Sequence, residues 1–131
     1  MTRIYLDHNA TSLLRPEARD AMIAAMDVCG NPSSVHAEGR AAKAVVERAR
    51  AQITAAFGAD GADVVFTSGS TEGAALALSG RDLHGSALEH DAVRAWVRED
   101  LSVAPDGTVE VEEAAKSCLQ LANSETGIIQ I

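Results

Sequence analysis

The stretch "VVFTSGSTEGAALAL", residues 64–78, sets the tightest limit on the fold. Four apolar or β-branched residues run directly into Ser-Gly-Ser-Thr and then into alanines and leucines. That order reads as a strand, a joint of the smallest and most hydroxyl-rich residues, and a helix. The same alternation covers the rest of the chain without any repeat. Pro16 opens a helix whose apolar residues Ala18, Met22, Ala25, Met26 and Cys29 share a face, and Gly30-Asn31-Pro32 stops it. A longer helix is predicted over roughly 34–57, with Ala42, Val45, Val46, Ala49, Ile53, Ala56 and Phe57 as its apolar stripe. Arg40, Lys43, Glu47, Arg48 and Arg50 form its wet face, and Gly58 is its stop. Further strands are predicted at Asp63–Ser68, Ser86–Glu89, Leu101–Ala104 and Cys118–Ala122, with helices at Thr71–Leu78, Asp91–Glu99 around Trp96, and Val111–Lys116. Pro105-Asp106-Gly107 is a turn. Strands separated by helices specify an α/β architecture with a mainly parallel sheet. In such sheets ligands bind beyond the carboxyl ends of the strands, where the Ser-Gly-Ser-Thr joint lies.

Composition narrows the class of partner. With 131 residues, 47% of them hydrophobic, the chain can bury one core of ordinary domain size. Nineteen acidic residues against 11 basic ones give a net charge of −8, which argues against nucleic acid, whose affinity depends on clustered cations. No window reaches the roughly 18 to 20 apolar residues of a membrane span, and the N-terminal "MTRIYLDHNATS" lacks the apolar stretch of a signal peptide. The expectation is a cytoplasmic protein without a membrane or nucleic-acid partner. Cys29 and Cys118 are far apart in no CxxC arrangement, so they read as two reduced, packed thiols.

The joint itself admits two readings. The first turn of a helix leaves backbone N–H groups unpaired and carries partial positive charge, so small residues let an anion approach and hydroxyls add donors. A phosphate fits there, although no Lys follows as in a Walker loop and the glycines do not follow GxGxxG. The alternative is that Ser70 or Thr71 simply caps the helix.

Five motifs in order, "YLDHNATS" (5–12), "GNPSSVHAEGRAA" (30–42), "VVFTSGSTEGAALAL" (64–78), "ALEHDAV" (87–93) and "LANSETGIIQ" (121–130), resemble the N-terminal part of class V aminotransferase-fold enzymes. The likeness is closest to the cysteine desulfurases of the NifS and IscS type. It implies the N-terminal part of a fold type I large domain: an arm and helices over about 1–58, then the start of a cofactor-binding α/β sheet over about 59–131. It implies pyridoxal 5′-phosphate as cofactor, its phosphate on Ser70 and Thr71. His90, in the position of the family's Glu-His pair, would stack on the ring and assist proton transfers. The last motif is usually Asn-Asn-Glu-Thr-Gly, with its second Asn bonded to the ring. Ser124 stands at that position here, so either the contact is weaker or Asn123 supplies it. "GNPSS" matches a segment that shapes the substrate mouth, or is only a helix stop. His8, His36 and His84 are expected to be solvated or packed.

The implied reaction takes sulfur from L-cysteine, leaving alanine and a persulfide for iron–sulfur cluster assembly or thiolation. A homodimer and a sulfur-acceptor protein are the implied partners. The family's Schiff-base lysine stands in a Ser-x-His-Lys context, which neither Lys43 nor Lys116 has. Its cofactor-pairing acid, substrate-carboxylate arginine and mobile-loop cysteine have no match here either. The expectation is therefore a fragment of a desulfurase, inactive alone, with a noncatalytic module or another class V member such as a selenocysteine lyase as alternatives.

Overall fold

The computed structural model describes residues 4–130, so Met1 to Arg3 of the N-terminal stretch and Ile131 lie outside the described residues. The chain divides into two units, Met1–Val65 and Phe66–Ile131.

In the first unit, Tyr5 pins a local loop by sharing its one hydroxyl proton between the carbonyls of Asp7 (2.7 Å) and Thr11 (3.2 Å). Helix α1, Pro16–Met26, starts with proline in its first turn, where no N–H partner is needed. It ends at Met26 rather than reaching Cys29, and Cys29 is exposed instead of packed. The "GNPSS" stretch folds as a turn, with the Asn31 side chain accepting from the Ser33 N–H at 2.9 Å. Helix α2 follows at Ala37–Ala56. Gly39, in its first turn, is buried so closely that a Cβ would stand 2.8 Å from the Asn31 carbonyl oxygen. His36 precedes this helix. Its Nδ1 lies 2.9 Å from Glu38 Oε2 and 3.4 Å from the Gly39 amide nitrogen. The shorter contact needs a proton on Nδ1 and the longer a lone pair, so the ring serves one at a time. Of the expected stripe, Ala42 is buried and Val45, Val46 and Ala49 are half-buried, whereas Ile53 and Phe57 are exposed.

Residues 63–68 are not a strand. The Arg50 guanidinium donates to the Val64 carbonyl at 3.2 Å, but no ladder forms, and β propensity without a partner strand produces only extended chain.

The second unit begins with α3, Ser70–Leu78, as the periodicity predicts. Strand β1, Leu83–Gly85, pairs in parallel with β2, Val97–Glu99, in the register Leu83 to Val97 and Gly85 to Glu99. On its other side β1 meets Ser117 in a parallel bridge, and the Cys118 N–H donates to the His84 carbonyl at 2.8 Å. The strand predicted at 86–89 therefore lies three residues earlier. The helix predicted at 91–99 divides into α4, Asp91–Arg94, a turn at Trp96, and β2. Val97 abandons the helix because it packs on Gly85, where a Cβ would stand 2.6 Å from the Val97 side chain. The turn at 105–107 is present, with Gly107 at φ +85° and Val103 bridging Val109. The predicted helix 111–116 shortens to a 3-10 turn at Ala114–Lys116. The strand predicted at 118–122 reduces to the Ser117 bridge and an antiparallel bridge of Ala122 with Ile129. Helices α3 and α4 pack together. Among the described residues no helix is long and apolar enough to cross a membrane.

Apart from Gly85, the buried positions of this unit are polar: Ser86 (0% exposed), Asn123 (4%) and Glu89 (5%). They cluster in the loops that follow β1 and the Ser117 bridge.

Candidate functional site

Ser70, Thr71, His90 and Ser124, the four residues singled out in the sequence, all fall in the second unit. Ser70 and Thr71 open α3 and are exposed. The first bond of that helix runs from the Gly73 N–H to the Gly69 carbonyl at 3.0 Å, which leaves the amides of Ser70, Thr71 and Glu72 ahead of the ladder. No side chain caps this end, and the space a Cβ would take on Gly69 is open. The capping reading of Ser70 or Thr71 therefore has no support in the geometry. Beside these donors, Glu72 folds back so that one carboxylate oxygen accepts from both the Ser68 N–H and the Ser68 hydroxyl, each at 2.6 Å. Those two bonds, the hydroxyl's first, hold the Glu72 carboxyl below the usual carboxylate range.

His90 is the N-cap of α4, and its Nδ1 accepts from the Ala92 N–H at 3.1 Å. That bond places the ring proton of the neutral imidazole on Nε2. The ring is exposed and borders a cleft of ≈ 390 Å³ lined by Ala87, Leu88, Glu89, Asp91, Arg94 and Glu125. Arg94 bridges two acids of this region, Asp91 at 3.3 Å and Glu99 at 2.9 Å.

Asn123 and Ser124 have separate tasks. The Asn123 amide nitrogen donates to the Leu88 carbonyl at 2.8 Å. Its Oδ1 accepts from the amides of Glu125 and Thr126, both at 3.0 Å, and from the Thr126 hydroxyl at 3.2 Å. Its oxygen is taken up by the turn and one of its two N–H donors by Leu88, and the residue is 4% exposed. Ser124 is half-buried, with its N–H on the Gln120 side-chain oxygen at 3.3 Å and its hydroxyl 3.4 Å from Glu125 Oε1.

Lys116 pairs with Glu113 at 3.6 Å, and Lys43 lies exposed on α2. Burial, then the charge of Glu89, push the Cys118 thiol up, away from thiolate character. Among the described residues no three His, Cys, Asp or Glu side chains are grouped to hold a metal.

Sequence reasoning passed over Glu89 except as the neighbour of His90. An acidic residue beside an apolar Ala-Leu pair was its one signal. His84, expected from the sequence to be solvated or packed, meets both oxygens of Asp100 through its Nδ1, at 2.8 and 2.9 Å.

The aminotransferase class-V family model matches residues 4–99. A cysteine desulfurase of Frankia sp. (strain EuIK1) is 34% identical across 96% of the chain and 38% of its own length. One of Cereibacter sphaeroides is also 34% identical, over 98% of the chain and 41% of the relative. A cysteine desulfurase IscS of Dictyoglomus turgidum is 42% identical over 69% of the chain and 25% of the relative. The chain spans about two fifths of the length of the first two of these curated relatives. No solved structure gives a significant match.

Proposed function

The chain belongs to the aminotransferase class-V family, and on that premise we propose that it forms the opening part of a pyridoxal 5′-phosphate-dependent cysteine desulfurase. In this reading residues 1–58 are the N-terminal arm and helices, and 59–131 begin the mainly parallel sheet of a fold type I large domain. The start of α3 is the observation that carries it. A helix end with three leading amides, two hydroxyls and open space beside Gly69 suits a dianionic phosphate, so the residues present fit the cofactor. Ser70 and Thr71 would bind that phosphate. His90 would offer its flat face to the ring and move a proton at Nε2, the nitrogen its cap bond leaves free. Ser124 would meet the ring edge through its hydroxyl, since Asn123 is committed to the turn. When bound, pyridoxal phosphate supplies an electron-withdrawing ring that weakens the carbon–sulfur bond of L-cysteine.

Sulfur would pass to a protein thiolate: the carbon–sulfur bond breaks, a sulfur–sulfur bond forms, and the carbon takes a proton to give alanine. Cys118 is a poor candidate for that thiol, because its surroundings favour the protonated form. A cytoplasmic homodimer that hands sulfur to an acceptor protein completes the reading. The lysines favour a second one, in which these residues form a noncatalytic module that pairs with a related subunit. Lys116 is held by Glu113 and Lys43 sits on α2, so the amine for the cofactor would come from outside these 131 residues.

The test compares Thr71→Ala and His90→Ala. Loss of one hydroxyl to a charged group should weaken pyridoxal phosphate binding by roughly 1 to 3 kcal/mol, read by equilibrium dialysis. In a protein that also supplies the amine for the cofactor, alanine release by Thr71→Ala should recover at high cofactor, while that by His90→Ala should stay down about 10²- to 10⁴-fold. Unchanged cofactor affinity in Thr71→Ala removes the phosphate site. Full recovery of His90→Ala at high cofactor removes its proton-transfer role.

A further inference from the structure

The two loops that carry the ring-side groups are joined by one buried carboxylate. Glu89 directly precedes His90, and its Oε1 accepts from the Gln120 N–H at 3.1 Å. The Gln120 side-chain oxygen in turn accepts from the Ser124 N–H. The connection runs from the His90 loop through Glu89 and Gln120 to Ser124, 35 positions further along the sequence than Glu89. Glu89 is only 5% exposed, and its second oxygen, Oε2, is buried without a hydrogen-bond partner. Burying a carboxylate with one oxygen bare is unfavourable, and Asn123 already fastens Leu88 to the turn. Stability alone would favour an uncharged side chain here. What the side chain does supply is an acceptor that reaches across the two loops to the Gln120 N–H at 3.1 Å, which fixes their spacing.

We propose that Glu89 is the positioning residue of the candidate site, setting the Ser124 turn relative to the His90 loop through Gln120. The proposal rests on the reading of His90 and Ser124 as ring-side groups. It extends that reading by assigning their mutual placement to a side chain that does not itself touch the cofactor.

Hydrogen exchange on the full 131-residue chain, resolved to single residues by mass spectrometry, tests it without cofactor. Glu89→Ala should speed exchange about ten-fold or more at Gln120 and also at Ser124, whose N–H is tied to Glu89 through the Gln120 side chain. The amides of Asn123 and Gly127, held by the backbone hairpin to Ile128 and Asn123, should change less than about two-fold. Glu89→Gln keeps an acceptor oxygen and should restore most of the protection at both sites. Loss at Gln120 with none at Ser124 overturns the proposal, as does a Glu89→Gln variant as loose as Glu89→Ala. General loosening that includes Asn123 and Gly127 also overturns it, because Glu89 is then an ordinary structural residue. If instead Thr71→Ala and His90→Ala leave pyridoxal phosphate binding untouched while Ser124 still responds to Glu89→Ala, the cofactor reading fails and the coupling stands.

Discussion

Replacing Asn123 should open the turn that carries Ser124, by an amount its bonds set. Four hydrogen bonds end on this side chain: one to the Leu88 carbonyl and three from Glu125 and Thr126. In Asn123→Ala the Glu125 and Thr126 donors are on exposed residues and recover water, so each costs little. The Leu88 carbonyl is half-buried and recovers less. Counting about 0.5 kcal/mol for each rehydrated donor and about 1 to 2 kcal/mol for the carbonyl gives roughly 2 to 4 kcal/mol of local opening. That corresponds to roughly thirty- to seven-hundred-fold faster exchange, measured at the Asn123 and Gly127 amides. Asn123→Asp separates the contributions: it keeps all three acceptor bonds but sets a buried charge against the Leu88 carbonyl, so it should be at least as damaging. Exchange within about three-fold of wild type in Asn123→Ala would refute the reasoning. The backbone bonds of the hairpin, from Asn123 N–H to the Ile128 carbonyl and from Gly127 N–H to the Asn123 carbonyl, would then be sufficient alone.

Further outcomes follow from other parts of the molecule. The Glu72 carboxyl is depressed in the folded chain, so its contribution to the start of α3 is complete above the ordinary value of 4.5 and is lost as pH falls through the folded value; Ser68→Ala removes the hydroxyl bond and keeps the backbone one, so it should reduce this acid-side fraying, followed by exchange in α3 across that range. Gly39→Ala would drive a methyl against the Ser34 and Asn31 carbonyls and should destabilise the first unit by about 2 kcal/mol or more, read from urea unfolding. Leu13 (90% exposed), Val35 (88%) and Phe57 (82%) are among many large apolar residues at the surface, so the isolated chain should self-associate, and sedimentation showing a monomer at all concentrations would contradict this. Borohydride treatment with pyridoxal phosphate should fix no stoichiometric adduct on Lys43 or Lys116, and selective labelling of either by mass spectrometry would reverse the reading of both.

The amphipathic periods and breakers in the sequence were enough to place α1, α2 and α3. Local rules govern those elements: proline in a first turn, an apolar stripe, and a hydroxyl-rich joint before a helix. The hydroxyl-rich joint marked Ser70 and Thr71 by the same local reasoning, whereas His90 and Ser124 were singled out only by the resemblance of their motifs to those of the family. Strands were another matter. Whether Val64–Phe66 or Cys118–Ala122 becomes a ladder depends on which segment lies alongside, and a hydrogen bond between distant segments leaves no periodicity in either. Val97 shows the same dependence, leaving the predicted helix to pair with Leu83 across a tight contact at Gly85. The division of labour between Asn123 and Ser124 was undecidable from their adjacency, since burial of one and half-exposure of the other is a property of the turn they share. Only the tertiary structure put the Glu89 carboxylate against the Gln120 amide, because that contact joins loops whose sequences carry no record of each other.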